Sequence, residues 1–221
     1  MAEAAGAQDM NAGSLVQAVT ERFPAAVKAS HSYRGDATVI ISAESLLEVA
    51  RTLKEDPAFQ MNFLMDLTAA DFSTFGKKPS SAFFASSGVA VRPSAELPDE
   101  HPWPGPPRVP NAAAALGAPP GPARFVVVYH FFSLPLKHRL RVEVPLEEND
   151  AEVDSVTSLW AGADWLEREV WDMFGIRFRG HANLKRILTY EQFVGHPLRK
   201  DYPVNKRQPL IGPDGHASDH S

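Results

Sequence analysis

Arg124-Phe125-Val126-Val127-Val128-Tyr129-His130-Phe131-Phe132, followed after a short break by Arg139-Leu140-Arg141-Val142-Glu143-Val144, is the stretch from which the fold is read. The first segment is rich in Val and aromatic residues, the composition that fits a pleated, half-buried surface. The second alternates charged and apolar side chains. Period-two alternation puts Leu140, Val142 and Val144 on one face and leaves the charges to solvent. Joined near Pro135-Leu136-Lys137, the two segments predict a hairpin with one face against helices.

Upstream, Ser14-Leu15-Val16-Gln17 reads as a capping box opening a helix, with Leu15, Val19 and Phe23 as its apolar stripe and Pro24 near its end. The β-branched Thr38-Val39-Ile40-Ile41 predicts a strand, and Ala43 to Lys54 a helix with Leu46, Ala50 and Leu53 inward. Phe63 to Leu67 is expected to be a further strand, turning near Asp71. The composition then changes: residues 76–123 hold 11 of the 19 prolines and the run Ala112 to Ala115. Proline removes amide donors and fixes φ, so this stretch is expected to be an insertion without regular structure. A sound core tolerates it, since lengthening a loop about twelvefold costs roughly 2 kcal/mol in closure entropy.

The fold class expected is α+β: one mainly antiparallel sheet packed against helices in two layers, with a Pro/Ala-rich insertion and an extended C-terminal arm. Residues 1–13 are expected to be a flexible N-terminus and 14–175 the domain that 76–123 interrupts. Residues 176–208 are read as an arm that wraps a partner, and 209–221 as a flexible tail.

The gross composition narrows the function. A hydrophobic content of 44%, 22% charged residues and a net charge of −5 over 221 residues describe a globular chain, not a nucleic-acid binder with clustered cations. Without cysteine the chain holds no disulfide, thiolate zinc site or iron–sulfur cluster through its own thiols. No stretch approaches the ~20 apolar residues of a membrane-spanning helix, and residues 1–13 lack the pattern of a secretory signal.

Asp164 to Phe174 carries strong helical punctuation, with Asp164 as the expected cap and Gly175 as a left-handed stop. Leu166, Val170, Met173 and Phe174 form an apolar stripe that Trp165 and Trp171 broaden. Glu167, Arg168, Glu169 and Asp172 are assigned to the remaining surface, with Arg168 meeting Asp172 at i+4. Beyond Gly175, residues Ile176 to Gln208 mix aromatics and cations without periodicity, a composition suited to lying across a partner.

These residues also resemble a known family. Glu167-Arg168-Glu169, then Asp172-Met173-Phe174, then His181, Lys185, Arg186, Ile187 and Leu188 at their offsets, are similar to the characteristic motif of the C subunit of NADH–quinone oxidoreductase, respiratory complex I. Trp160 to Trp165 and the run Gly195-His196-Pro197-Leu198-Arg199-Lys200-Asp201-Tyr202-Pro203 resemble the same family, and Asp66 to Asp71 and Arg139 to Val142 do so more loosely. Two departures stand out: Ala182 replaces the family's usual proline, and 76–123 has no counterpart in its compact members.

The resemblance implies a subunit without catalytic, cofactor-binding or metal residues of its own. It would pack against the hydrogenase-large-subunit-like, quinone-site subunit and neighbouring iron–sulfur subunits, with FMN and Fe–S clusters in those partners. It further implies a peripheral position on the cytoplasmic face of the bacterial inner membrane, membrane association through the complex alone, and no nucleic acid. Glu167, Arg168, Glu169, Asp172, Met173, Phe174, His181, Lys185, Arg186, His196, Arg199, Lys200, Asp201 and Tyr202 are the motif and partner-binding candidates on this reading. The residues by themselves leave weaker alternatives: His181, His196 and Asp201 as metal ligands, Glu167 and Glu169 as an acid–base pair, and Trp103 as a docking point. The nearest rival function is the equivalent subunit of a membrane-bound hydrogenase or another donor–quinone dehydrogenase.

Overall fold

A computed structural model describes residues 11–74 and 123–208, together with the backbone of two short paired strands, Leu210–Ile211 and Ala217–Ser218. The 76–122 part of the expected insertion, including Trp103, and residues 1–10 lie outside the described residues.

Helix α1 (Ala12–Arg22) starts earlier than the capping box implies. Asn11 is its cap: Asn11 Oδ1 accepts the Ser14 N–H at 2.9 Å, and Gln17 donates instead to Glu21 at 2.8 Å. Both Asn11 and Ser14 are good capping residues; Ser14 lies inside the first turn, where its hydroxyl donates back to Asn11 O at 2.9 Å. Asn11 to Gly13 thus belong to the helix and its cap, not to a flexible end.

Strands β1 (Val27–Tyr33) and β2 (Asp36–Ile41) form a hairpin. Its two-residue turn, Arg34-Gly35, has φ of +50° and +87°, the left-handed pair that matches strand twist. Helix α2 (Leu46–Glu55) buries Leu46, Val49, Ala50 and Leu53. Strand β3 (Phe63–Asp71) is longer than expected, and β4 (Phe125–Phe132) and β5 (Arg139–Leu146) form the anticipated hairpin.

The five strands are ordered β1-β2-β5-β4-β3. β2 and β5 pair in parallel at the centre, while the other neighbours are antiparallel. The chain therefore crosses from β2 through α2 to the far edge and returns strand by strand. Leu140, Val142 and Val144 point into the core with Phe125, Val127, Tyr129 and Phe131, against the apolar sides of α1 and α2. A short parallel pair, β6 (Glu152–Asp154) and β7 (Arg177–Arg179), brackets the third helix, α3 (Ala163–Phe174).

A carboxylate clasp between the third helix and the C-terminal segment

Helix α3 departs from its sequence reading at four places. Gly162 occupies the cap position, and Asp164 lies inside the first turn, where its Oδ1 is 2.9 Å from His181 Nε2. Trp165 does not broaden the buried stripe; it is 61% exposed, beneath the Arg168 guanidinium at 5.1 Å. Glu167 and Asp172, assigned to the surface, are both fully buried. Arg168 does not meet Asp172: its Nε and Nη2 donate to the Lys185 and Arg186 carbonyls at 3.1 and 3.2 Å.

Asp172 is the centre of the site. Its Oδ2 accepts three consecutive backbone N–H groups, from Ile187 at 3.1 Å and from Leu188 and Thr189 at 2.9 Å. Its Oδ1 accepts Arg186 Nη1 at 2.6 Å and the Thr189 hydroxyl at 2.5 Å. Burial alone would raise the carboxyl pKa, but the bonds from Thr189, Ile187 and Arg186 outweigh it and hold the pKa down at about 2. Arg186 completes its own set on the Gly195 carbonyl at 3.1 Å, and its guanidinium lies 5.6 and 5.7 Å from the Trp171 and Phe193 ring centres.

The same C-terminal segment caps α3. A helix ends with unpaired carbonyls. Here Gly175 N–H closes on Trp171 O at 2.8 Å, in the left-handed conformation its sequence position implied. His196 Nδ1 then takes Asp172 O at 2.9 Å, Leu198 N–H takes Met173 O at 3.1 Å, and Arg199 Nε takes Phe174 O at 2.5 Å. The approach is close enough that an ideal Cβ on Gly175 would fall 2.6 Å from Arg199 Nη2 and from the His196 ring. Burial lowers the His196 pKa, so the ring is a neutral donor at neutral pH.

A second clasp ties the segment to the sheet. Asp71, at the end of β3, and Arg124, just before β4, are buried and 3.1 Å apart. Asp71 Oδ2 also accepts the Lys200 N–H at 2.9 Å, while Arg124 reaches Asp201 at 2.7 Å and Glu148. Burial works to raise the Asp71 pKa, and the bonds from Arg124, Lys200 and Ser73 overcome it, leaving about 2. Phe72 N–H also donates to Arg124 O at 2.8 Å, so the end of β3 and the start of β4 are tied together.

Glu167 behaves differently. Its Oε1 accepts the Val156 N–H at 2.7 Å, whereas Oε2 has no hydrogen-bond partner among the described residues. Burial raises its pKa, and the Ser155, Val156 and His181 interactions only partly offset this. Arg179 pairs with Asp154 at 2.9 Å. Glu169, Lys185, Lys200 and Asp201 are exposed, Met173 and Phe174 are core, and Tyr202 stacks on Phe193 at 6.1 Å. Among the described residues no group of three or more His, Asp or Glu side chains is arranged to hold a metal ion. Asp71, Arg124 and Thr189 are not among the site candidates of the sequence reading; Asp71 entered it only as a turn and as the end of the loosely matching Asp66 to Asp71 stretch, and nothing local marks Arg124 or Thr189.

The model of the family described as respiratory-chain NADH dehydrogenase, 30 kDa subunit, matches residues 39–208, which contain both clasps. The chain belongs to this family. The NADH-quinone oxidoreductase C subunit of Citrifermentans bemidjiense is 40% identical over 194 residues, spanning 87% of this chain and 91% of that one. Its Coxiella burnetii counterpart, of the same name, is 35% identical over 193 residues, covering 86% and 78% of the two chains. Among solved structures, a trypsin-resistant fragment of Nqo5 is 26% identical with a TM-score of 0.50, covering 78% of this chain and 98% of the fragment. A chain of an archaeal membrane-bound sulfane sulfur reductase, at 19% identity and a TM-score of 0.52, covers 87% of this chain and 86% of its own, and shares the fold. In this family member Asp172 and Arg186, both among the residues that suggested the family in the sequence, form the clasp. No helix among the described residues is long and apolar enough to cross a membrane.

Proposed function

We propose that this chain is a non-catalytic, structural subunit of the peripheral arm of a proton-translocating NADH–quinone oxidoreductase. Family membership across residues 39–208 carries the reading. The inward motif residues support a structural role: both Asp172 oxygens and the Arg186 guanidinium bond to this chain's own backbone and side chains, and His196 Nδ1 and Arg199 Nε bond to carbonyls of α3. A carboxylate held near pKa 2 and a histidine whose pKa burial lowers make poor proton-transfer groups at neutral pH.

In this reading the partner is the hydrogenase-like subunit of the quinone site, with neighbouring Fe–S subunits along residues 176–208. FMN and the clusters reside in those partners, the chain contributing no thiolate ligand because it has no cysteine. It lies on the cytoplasmic face of the bacterial inner membrane and reaches the bilayer only through the complex. Its physical contribution is a fixed geometry between electron carriers. Deleting residues 181–221 tests this: NADH:quinone activity in isolated membranes and the assembled high-mass complex should both be lost. Full activity and assembly without that segment would overturn the proposal.

A further inference from the structure

The clasp takes Arg186 and the amides of residues 187–189 inward, which makes what it leaves outside informative. Trp165 is the one large hydrophobic side chain of α3 that stays exposed, and a tryptophan covered by an arginine is the side-chain chemistry of an interface anchor. Arg168 joins this ring to the segment by holding the Lys185 and Arg186 carbonyls. Two residues beyond, Leu188 is 63% exposed although its own N–H is fixed on Asp172. Beside it a cavity of about 400 Å³ opens between Trp171, Leu184, Lys185, Arg186, Thr189 and Glu191. Its size suits one or two bulky side chains from another molecule.

Charge selects the partner. Arg168 and Lys185 have no carboxylate within ion-pair distance among the described residues. Arg186 lines the cavity but is already neutralised by Asp172. The surface therefore offers two uncompensated cations around an exposed indole and a mixed cleft, in which Trp171 and Leu184 give the apolar wall and Lys185, Arg186, Thr189 and Glu191 the polar one. We infer that Trp165, Arg168, Lys185 and Leu188 form the anchor of a protein–protein interface, taking a partner segment that presents a carboxylate beside a bulky apolar side chain. This rests on the subunit reading above and goes beyond it by separating the inward, self-bracing residues of the motif from the outward, partner-facing ones. It also removes Asp172, fully buried and bonded within the chain, from the set of direct partner contacts.

A photo-crosslinking residue, benzoylphenylalanine, placed at Trp165 or at Leu188 of the tagged full chain tests the inference in the assembled complex. Irradiation should join either position to another polypeptide of the complex, with Asp or Glu within a few residues of the mapped crosslink. Trp165→Ala should weaken retention of the chain on dilution roughly tenfold, the typical cost of losing an interface anchor. Lys185→Glu should weaken it comparably while leaving amide protection of residues 187–189 unchanged. If the unsubstituted chain co-purifies with the complex but both positions crosslink only lipid, a second copy of this chain, or nothing, the interface is elsewhere and the subunit reading stands. If the unsubstituted chain does not co-purify with a multi-subunit complex at all, the subunit reading itself fails.

Discussion

Replacing Asp172 by Asn should release the segment from α3 while leaving the domain folded. The substitution keeps shape but turns one carboxylate oxygen into an N–H donor. Whichever way the amide points, that donor faces either three backbone N–H groups or the Arg186 guanidinium and the Thr189 hydroxyl. The magnitude follows from the ionisation of the group. A fall in pKa from 3.8 to about 2 corresponds to about 2.5 kcal/mol of preference for the ionised over the neutral carboxyl. An uncharged isostere forfeits at least that preference, and it leaves the half-buried Arg186 without its counter-ion, which pushes the cost upward. Hydrogen–deuterium exchange of the full chain reads the loss locally. Amides of Ile187, Leu188 and Thr189 should exchange roughly sixtyfold faster, whereas core strand amides such as those of Val127 and Val142 should hardly change. Unchanged protection at 187–189 would refute the clasp as the element that holds the segment.

Gly175→Ala forces a side chain into a backbone at φ +74° and against Arg199 and His196, and should cost about 2–3 kcal/mol, seen as a melting temperature lower by roughly 5–10 °C. Asp71 and Asp172 both bind protons less readily folded than unfolded, so their stabilisation is complete above about pH 4 and drains away as pH falls towards 2. Urea unfolding midpoints should fall across that window, and the double Asn variant should lose most of this dependence. Glu167 has the opposite sign: its raised pKa means that folding costs more as pH rises above its ordinary value of 4.5. Glu167→Gln keeps an acceptor for Val156 N–H and should raise the unfolding midpoint at pH 8 relative to wild type, with the difference shrinking towards pH 4.5.

The elements that alternate or repeat apolar residues cleanly are legible in the sequence. β5 is the clearest, because Leu140, Val142 and Val144 bury against the core while Arg139 stays exposed. α2 and the Gly175 stop of α3 follow the same logic. β1 was not legible, since Val27–Tyr33 is an edge strand exposed on both faces and so carries no period. The parallel register of β2 with β5 was also hidden, being a pairing about a hundred residues apart in sequence. The site was legible as a motif but not as a geometry. Side-chain polarity alone assigned Glu167 and Asp172 to solvent. Their burial depends on Val156, upstream of the helix, and on residues 186–189, downstream of it. The composition of residues 176–208 suggested an arm laid across a partner. Much of it is laid first across its own domain, because Asp172, Asp71 and the free carbonyls of α3 supply acceptors that a solvated arm would lack.

The central claim, a structural subunit of an NADH–quinone oxidoreductase, is tested most directly by purifying the tagged chain from mildly solubilised membranes of its own host. Mass, iron and flavin content, and NADH:quinone activity of the recovered material are then measured together. A large flavin- and iron-rich assembly that oxidises NADH with quinone is the expected result. A cluster-rich complex inert to NADH but active with hydrogen or another donor would transfer the chain to a related machine, and a lone soluble protein would contradict the claim outright.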